Sequence, residues 1–426
     1  MNRPVRLVQL VHGYPPAIGG VEVSVRDLCE ALVSEYGFEV TVLTTNALTV
    51  DNYWDARLPT IPIREDEVQN GVRIRRFPIV TRWVPLLQPA QAFAWRLRLP
   101  GNGTLRTWFH GPVCPAMLKA LRQTPADVVC AAPFPLNHMR YPFLVGRTAP
   151  PVVLLGSVHT NQPWGYDRPN LLRLVNRARA TVAHTEHERD WLIAHGAKPD
   201  KVRVIGHGID PGELRPRRGA FRSTYGIDQN AFLVAYVGQQ GANKGIDTLI
   251  AVLPELIAAC PSAWLAVGGS RTPHSDELRR VAAKLPEQVF RRLVFADDLT
   301  AQAKADLLGD CDVFASPSKG ESFGITTLEA WSLAKPTLVG DAPSQREIIE
   351  DNVTGIIVEH GNRDQLLKAI VRLAKNPELR RVLGRNGYER LNRDFRRSEI
   401  ERRYADLLRE AALTGSSGVP PRPQTR

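Results

Sequence analysis

Short apolar runs alternate with stretches of helical spacing along most of the chain, the pattern of a parallel sheet whose strands are buried on both faces. Residues 5–11 (VRLVQLV) predict a first strand, 12–20 a loop, and 21–36 a helix whose Val21, Val25, Leu28, Leu32 and Val33 lie near one face. A second strand over 38–44 completes a Rossmann-like unit. After an irregular excursion from residue 51, strands are expected at 72–77, 127–131, 152–155, 180–185 and 202–205, with a helix over 186–194. Residues 206–230 mix Gly, Pro and Arg without apolar periodicity and read as a linker.

A second alternating set follows, with strands at 231–237, 264–267, 294–296, 311–315, 337–339 and 355–358. Helical spacing occurs within 244–256 and at 301–308 and 326–333, then from Arg363 to about Leu413, and a Gly-, Ser- and Pro-containing tail over 414–426 is expected to be disordered. The expectation is an α/β chain of two Rossmann-like domains, 1–208 and 209–395, with a helix over 396–413 packing back toward the first.

The densest chemistry lies in 316–329, SPSKGESFGITTLE, between an expected strand and an expected helix. Such a loop sits at the carboxyl end of a strand, where open α/β sheets bind ligands. The amides of Phe323, Gly324 and Ile325 are expected as unpaired donors at a helix N-terminus, where the dipole favours an anion such as a diphosphate. Gly324 lets the backbone come close. Carboxylates in that place suit hydroxyl donors, so Glu321 fits a sugar ring and Glu329 a ribose, the layout for a sugar joined to a nucleotide diphosphate. The same spacing also fits two solvated charges at a helix start. Gly19 and Gly20 form a second candidate anion site after the first strand, or serve tight helix packing. His159, just past the strand expected at 152–155, lines a ligand-binding end or holds a packing hydrogen bond.

Among 426 residues the net charge is +11, and the isoelectric point is near 9.6. Such a balance calls for an anionic partner: nucleic acid, a lipid surface or a phosphorylated substrate. No nucleic-acid recognition motif accompanies it, and no nucleic-acid partner is expected. Basic residues concentrate at Arg82, Arg96, Arg98, Arg106, Lys119, Arg122, Arg140 and Arg147, opposed only by Asp127 and interleaved with Trp83, Phe93, Trp95, Trp108 and Phe109. That mixture suits an anionic membrane surface, or a solvated cationic face over buried aromatics. Five widely spaced cysteines argue against a disulfide framework or zinc site and fit a reducing cytosol. No apolar run reaches the ~20 residues of a bilayer span. Any membrane contact is therefore expected to be peripheral, on the cytoplasmic face.

Five segments carry a family resemblance. Residues 321–329 match a signature of Glu, seven residues, Glu within GESFGITTLEA, supported by Gly19-Gly20-Val21-Glu22, VRVIGHGID, VGQQGANKGIDTL and VTGIIVEHG. On these the chain resembles the retaining GT-B glycosyltransferases of family four (glycosyl transferases group 1). The resemblance implies two Rossmann-like domains facing across a cleft, with a nucleotide-sugar held by the C-terminal one and a hydroxyl acceptor, lipid- or glycan-linked forms included, by the N-terminal one. It implies that Glu321 binds donor-sugar hydroxyls, Glu329 the ribose, and the amides of Phe323, Gly324 and Ile325 the sugar or diphosphate. Lys244 would neutralise the diphosphate, His159 orient the donor sugar, Gly19 and Gly20 form the N-terminal glycine loop, and Leu299 touch the base of UDP or GDP. No cofactor and no metal are implied. One position departs from the pattern: Gln239 stands where the family usually has an arginine five residues before the lysine, and Arg271 is a candidate substitute. That departure keeps open a catalytically weak nucleotide-sugar-binding subunit, and the same frame also serves epimerases and phosphorylases.

Overall fold

The computed structural model describes residues 3–17, 19–65, 67–146, 149–160 and 162–416. Two compact units emerge, one from the chain up to Gly206 together with Ile400 onward, the other from His207–Glu399.

The first unit holds an eight-stranded sheet. Its strands are β1 (Arg6–Val11), β2 (Glu39–Thr45), β3 (Glu67–Gln69), β4 (Val72–Phe77), β5 (Val128–Ala132), β6 (Val152–Leu155), β7 (Ala180–Ala183) and β8 (Val202–Val204). Their order is β3-β4-β2-β1-β5-β6-β7-β8, parallel throughout except for the antiparallel pair β3–β4. Helix α1 (Gly20–Ser34) follows β1 and buries Val25, Leu28 and Leu32 against the sheet, as its spacing predicts. Between β4 and β5 lie α2 (Val84–Arg96) and α3 (Asn102–His110), in a stretch where the apolar pattern predicted no element. The C-terminal helix, Arg397–Ser416, brings Ile400, Tyr404, Ala405 and Leu408 into the same core as Leu7 and Val128. The helix runs to Ser416, three residues into the stretch expected as a disordered tail, and the rest of that stretch falls outside the described residues.

The second unit holds a six-stranded, all-parallel sheet. Its strands are β9 (Phe232–Val237), β10 (Ala263–Gly269), β11 (Leu293–Asp297), β12 (Val313–Ser316), β13 (Thr337–Gly340) and β14 (Ile356–Val358), in the order β11-β10-β9-β12-β13-β14. That order is the doubly wound Rossmann arrangement, and its direction reverses between β9 and β12. Loops leaving those two strands are where a ligand is expected by topology alone. In the first sheet the equivalent reversal lies between β1 and β5.

Two local expectations need correction. Residues 206–230 are more than a linker: Ala220–Thr224 forms a short helix with Phe221 and Arg222 buried. Asp310 holds it by accepting from the amides of Gly219 and Phe221, and its carbonyl accepts from the Arg222 guanidinium. Partners some ninety positions away leave no local periodicity to read. The region before β4 also contains β3, joined through Asn70 and Gly71, both at positive φ (46° and 82°), the turn chemistry of a two-residue hairpin.

Candidate functional site

In the second unit the loops after β9 and β12 lie side by side, with the amide of Lys319 donating to the Asn243 carbonyl at 2.8 Å. Lys244 Nζ reaches Glu321 Oε2 at 2.8 Å, and both side chains are about four-fifths buried. A cation and a carboxylate thus meet at the carboxyl end of the sheet, at its reversal.

The glycine loop ahead of helix Ile325–Ser332 is pinned from one side. Ser344 Oγ donates to the Glu321 carbonyl at 2.6 Å, and Gln345 Nε2 donates to the Phe323 carbonyl at 2.6 Å. Gly324 caps that helix at φ 101°, where a Cβ would stand 2.3 Å from Gln345 Nε2. A side chain there would be both strained and blocked. With the carbonyls held, the amides of Phe323, Gly324 and Ile325 donate to no protein acceptor among the described residues. Three unpaired N–H groups at a helix start are what an anion binds.

Glu329 lies on the same helix, buried, with Oε1 paired to Lys304 of helix Ala301–Asp310. Neither glutamate is the solvated helix-start charge that spacing alone allowed. Leu299, half-buried after β11, packs into the space left by the absent side chain of Gly268. Gln239 is exposed, and its carbonyl accepts from the Tyr236 hydroxyl at 2.8 Å and the Gly241 amide at 2.9 Å. Its neighbour Gln240 is the buried one, donating to Asp297 Oδ1 at 2.8 Å, where Arg279 also binds. Arg271 pairs with Asp276 on the surface.

Other predicted residues belong to the first unit. His159 follows β6 with its ring edge-on to Tyr166 at 5.5 Å. Its loop is held by the buried Glu188, which accepts from the amides of Ser157 (2.8 Å), Val158 (2.9 Å) and His184 (2.7 Å). Gly19 precedes α1, and a Cβ on it would lie 2.1 Å from Glu22 Oε2. Its missing side chain makes room for that carboxylate. Gly20 meets nothing within 4 Å and opens the helix.

Sequence reasoning missed what surrounds Glu22. His12, just past β1, pairs with it at 3.0 Å, and His138, just past β5, stacks on His12 with ring centres 6.4 Å apart. His138 Nε2 donates to the Ala132 carbonyl at 2.6 Å, while Nδ1 of both rings is buried without a partner among the described residues. Burial and the nearby His12 push the His138 imidazole down to about 3, and burial with Arg168 and His12 does the same to His110. Glu22 is held below the usual carboxylate range, desolvation notwithstanding, by His12. Lone histidines spaced along a chain give no sign that a sheet will gather them. Lys304, Ser344 and Gln345 were missed for the same reason.

Two family models divide the chain: Glycosyltransferase Family 4 matches residues 18–213, and Glycosyl transferases group 1 matches residues 218–390. Together the two models place the chain in the GT-B glycosyltransferase group. Its likeness to a D-inositol 3-phosphate glycosyltransferase of Segniliparus rotundus is 30% identity over 258 residues, 59% of this chain and 56% of that one. The chain spans about half the length of the curated relatives it matches. Among solved structures, Anabaena Alr3699/HepE in complex with UDP and glucose matches at TM-score 0.69 and 19% identity, covering 95% of this chain and 100% of that one. Sucrose-phosphate synthase of Thermosynechococcus elongatus matches at TM-score 0.71 and 19% identity, covering 96% and 100%. Among the described residues, no group of three or more His, Cys, Asp and Glu is placed to hold a metal ion. Nor is any described helix long and apolar enough to cross a membrane.

Proposed function

We propose that the chain moves a hexosyl group from a nucleoside-diphosphate sugar to an acceptor hydroxyl, lipid- or glycan-linked, with retention of configuration and without a metal. One observation carries this reading: the Lys244–Glu321 pair at 2.8 Å beside the unpartnered amides of Phe323, Gly324 and Ile325. UDP is favoured over GDP as the nucleotide because a fold neighbour was solved with UDP and glucose.

In the proposed step the bond from the anomeric carbon to the diphosphate oxygen breaks, and its electron pair leaves with the phosphate. The acceptor oxygen bonds the same face of that carbon, and its proton passes to the departing phosphate oxygen. Charge grows on the diphosphate as this happens, so a fixed ammonium and three fixed N–H groups stabilise the transition state more than the ground state. Lys244 is assigned that role, with Glu321 accepting from sugar hydroxyls and Glu329 from the ribose. His159, Leu299, Gly19 and Gly20 keep the roles that the family resemblance implies.

A panel of nucleoside diphosphates assayed for thermal stabilisation tests the donor site, because a ligand of the folded state raises the melting temperature by mass action. UDP should raise it; a panel in which no nucleotide does so rejects the reading. The exposed Gln239, uncharged beside Lys244, favours one second reading, a nucleotide-sugar-binding subunit. Nucleotide-sugar binding without release of nucleoside diphosphate in the presence of cell-extract acceptors would select it.

A further inference from the structure

No Asp or Glu occurs between Glu67 and Asp127, and α2 and α3 lie inside that acid-free stretch. Helix α2 carries two apolar stripes. Val84, Leu87, Gln91 and Ala94 recur at helical spacing and turn inward, with Gln91 and Ala94 buried. Leu86, Pro89, Ala90, Phe93 and Leu97 recur at the same spacing on another face and are exposed. Leu86, Phe93 and Leu97 show 65%, 62% and 54% of their surface. Trp83, which caps α2, and Trp108, on the adjoining α3, are about half exposed. Trp83, Phe93, Trp95 and Trp108 are therefore not the buried layer that one reading of the sequence allowed, whereas Phe109 is partly buried and packs against Trp54 and Trp164.

A single exposed apolar side chain needs no explanation, whereas a continuous stripe with flanking tryptophans marks a docking face. Arg82, Arg96 and Arg98 border it, exposed, and none has an acidic partner among the described residues. Arg82 lies over the Trp83 ring at 5.0 Å, keeping cation and indole together at one end of the helix. Arg106, by contrast, is buried, and its guanidinium donates to the carbonyl of Asp167. Basic residues here thus divide into structural ones and a free set at the rim of the apolar stripe.

We propose that this α2–α3 face docks on an anionic lipid bilayer, with the Leu86–Phe93–Leu97 stripe in the interfacial layer and Arg82, Arg96 and Arg98 at the headgroups. Charge complementarity selects the bilayer. A second copy seated on this face by a two-fold axis would set the same three arginines against themselves. Tryptophans at the margin of an apolar stripe suit the headgroup boundary, and arginines add attraction to anionic lipid. Docking goes beyond the transfer reading and does not depend on it.

The test is sedimentation of the full chain with phosphatidylglycerol-rich and with pure phosphatidylcholine vesicles at low salt. Strong preference for the anionic vesicles is expected, with a blue shift of tryptophan emission. Each surface arginine near anionic lipid raises partition roughly fivefold, so Arg82→Gln, Arg96→Gln and Arg98→Gln combined should lower it about a hundredfold. Leu86→Ser with Phe93→Ser should lower it at least about tenfold. All five positions are exposed, and an unchanged melting temperature confirms the variants fold. Equally poor sedimentation with both vesicle types overturns the proposal. So does a concentration-dependent dimer that Leu86→Ser with Phe93→Ser abolishes, which assigns the face to a second copy. Nucleotide binding, read separately, keeps a failure of docking distinct from a failure of the donor site.

Discussion

Both sheets reverse direction beside their first strand, yet the loops at the two reversals are built for opposite purposes. In the second unit, after β9 and β12, a helix start offers three unpaired amides, and Lys244 stands close by in an ion pair. In the first, after β1 and β5, the start of α1 already has a carboxylate of its own, Glu22, paired to His12 under the glycine loop. At one end the helix-start amides meet no protein acceptor among the described residues, and at the other a carboxylate of the chain itself is folded in. Topology locates a site, but the loop residues determine its charge.

Breaking the Lys244 end should have the largest effect. Lys244→Ala removes a preorganised cation, and UDP release from a UDP-sugar should fall by roughly a hundred- to a thousandfold while the fold holds. A variant that releases UDP at an undiminished rate removes Lys244 from the chemistry.

Acid should separate the two ends next. Unfolded, His110 and His138 take a proton near pH 6.5; folded, they resist until about pH 3. Stability present above pH 6.5 is therefore lost as pH falls through that window, at up to ~1.4 kcal/mol per pH unit for each ring. From about pH 4.5 downward, protonating Glu22, whose folded pKa is lowered from 4.5, adds to the loss. Melting temperature measured from pH 7 to 5 should drop steeply, and His138→Phe should flatten part of the slope. An unaltered slope in that variant would remove His138 as a source.

A finer comparison uses the loop backbone. Gly324→Ala forces a side chain onto φ 101° and into Gln345, and should cost about 2 kcal/mol of stability along with the UDP-induced rise in melting temperature. Glu22→Gln, the smallest change, keeps the shape but removes the charge, and should cost about 1 kcal/mol in thermal or urea unfolding. If Gly324→Ala binds UDP as before, the amides of that loop are not its cradle.

Much of this was legible along the chain. Apolar runs such as β5 and β9, buried on both faces, announce themselves because a parallel strand needs no polar alternation. Helix α1 shows its spacing for the same local reason. Glu321, Glu329, Lys244 and Gly324 stand out in the sequence as candidates, and the fold pairs the three charged ones and sets Gly324 at a helix start. Misses occurred where short elements depend on distant partners, as with Ala220–Thr224 and Asp310, where a signal as brief as Asn70-Gly71 sat in an otherwise irregular stretch, and at α2 and α3, the former with Pro89 inside it and apolar residues on two faces.

Periodicity and turn chemistry are properties of neighbours along the backbone, and so strands, helices and the amide-rich loop could be read from the order of residues. Pairings could not. Lys244 meets Glu321 across 77 positions, and Lys304 meets Glu329 across 25. His12 finds His138 because parallel β1 and β5 carry their loops to the same end of one sheet. Whether a charge stands open to solvent, is cancelled by a neighbour or is stripped of water depends on which segments the fold brings alongside it, and that is a property of packing in three dimensions.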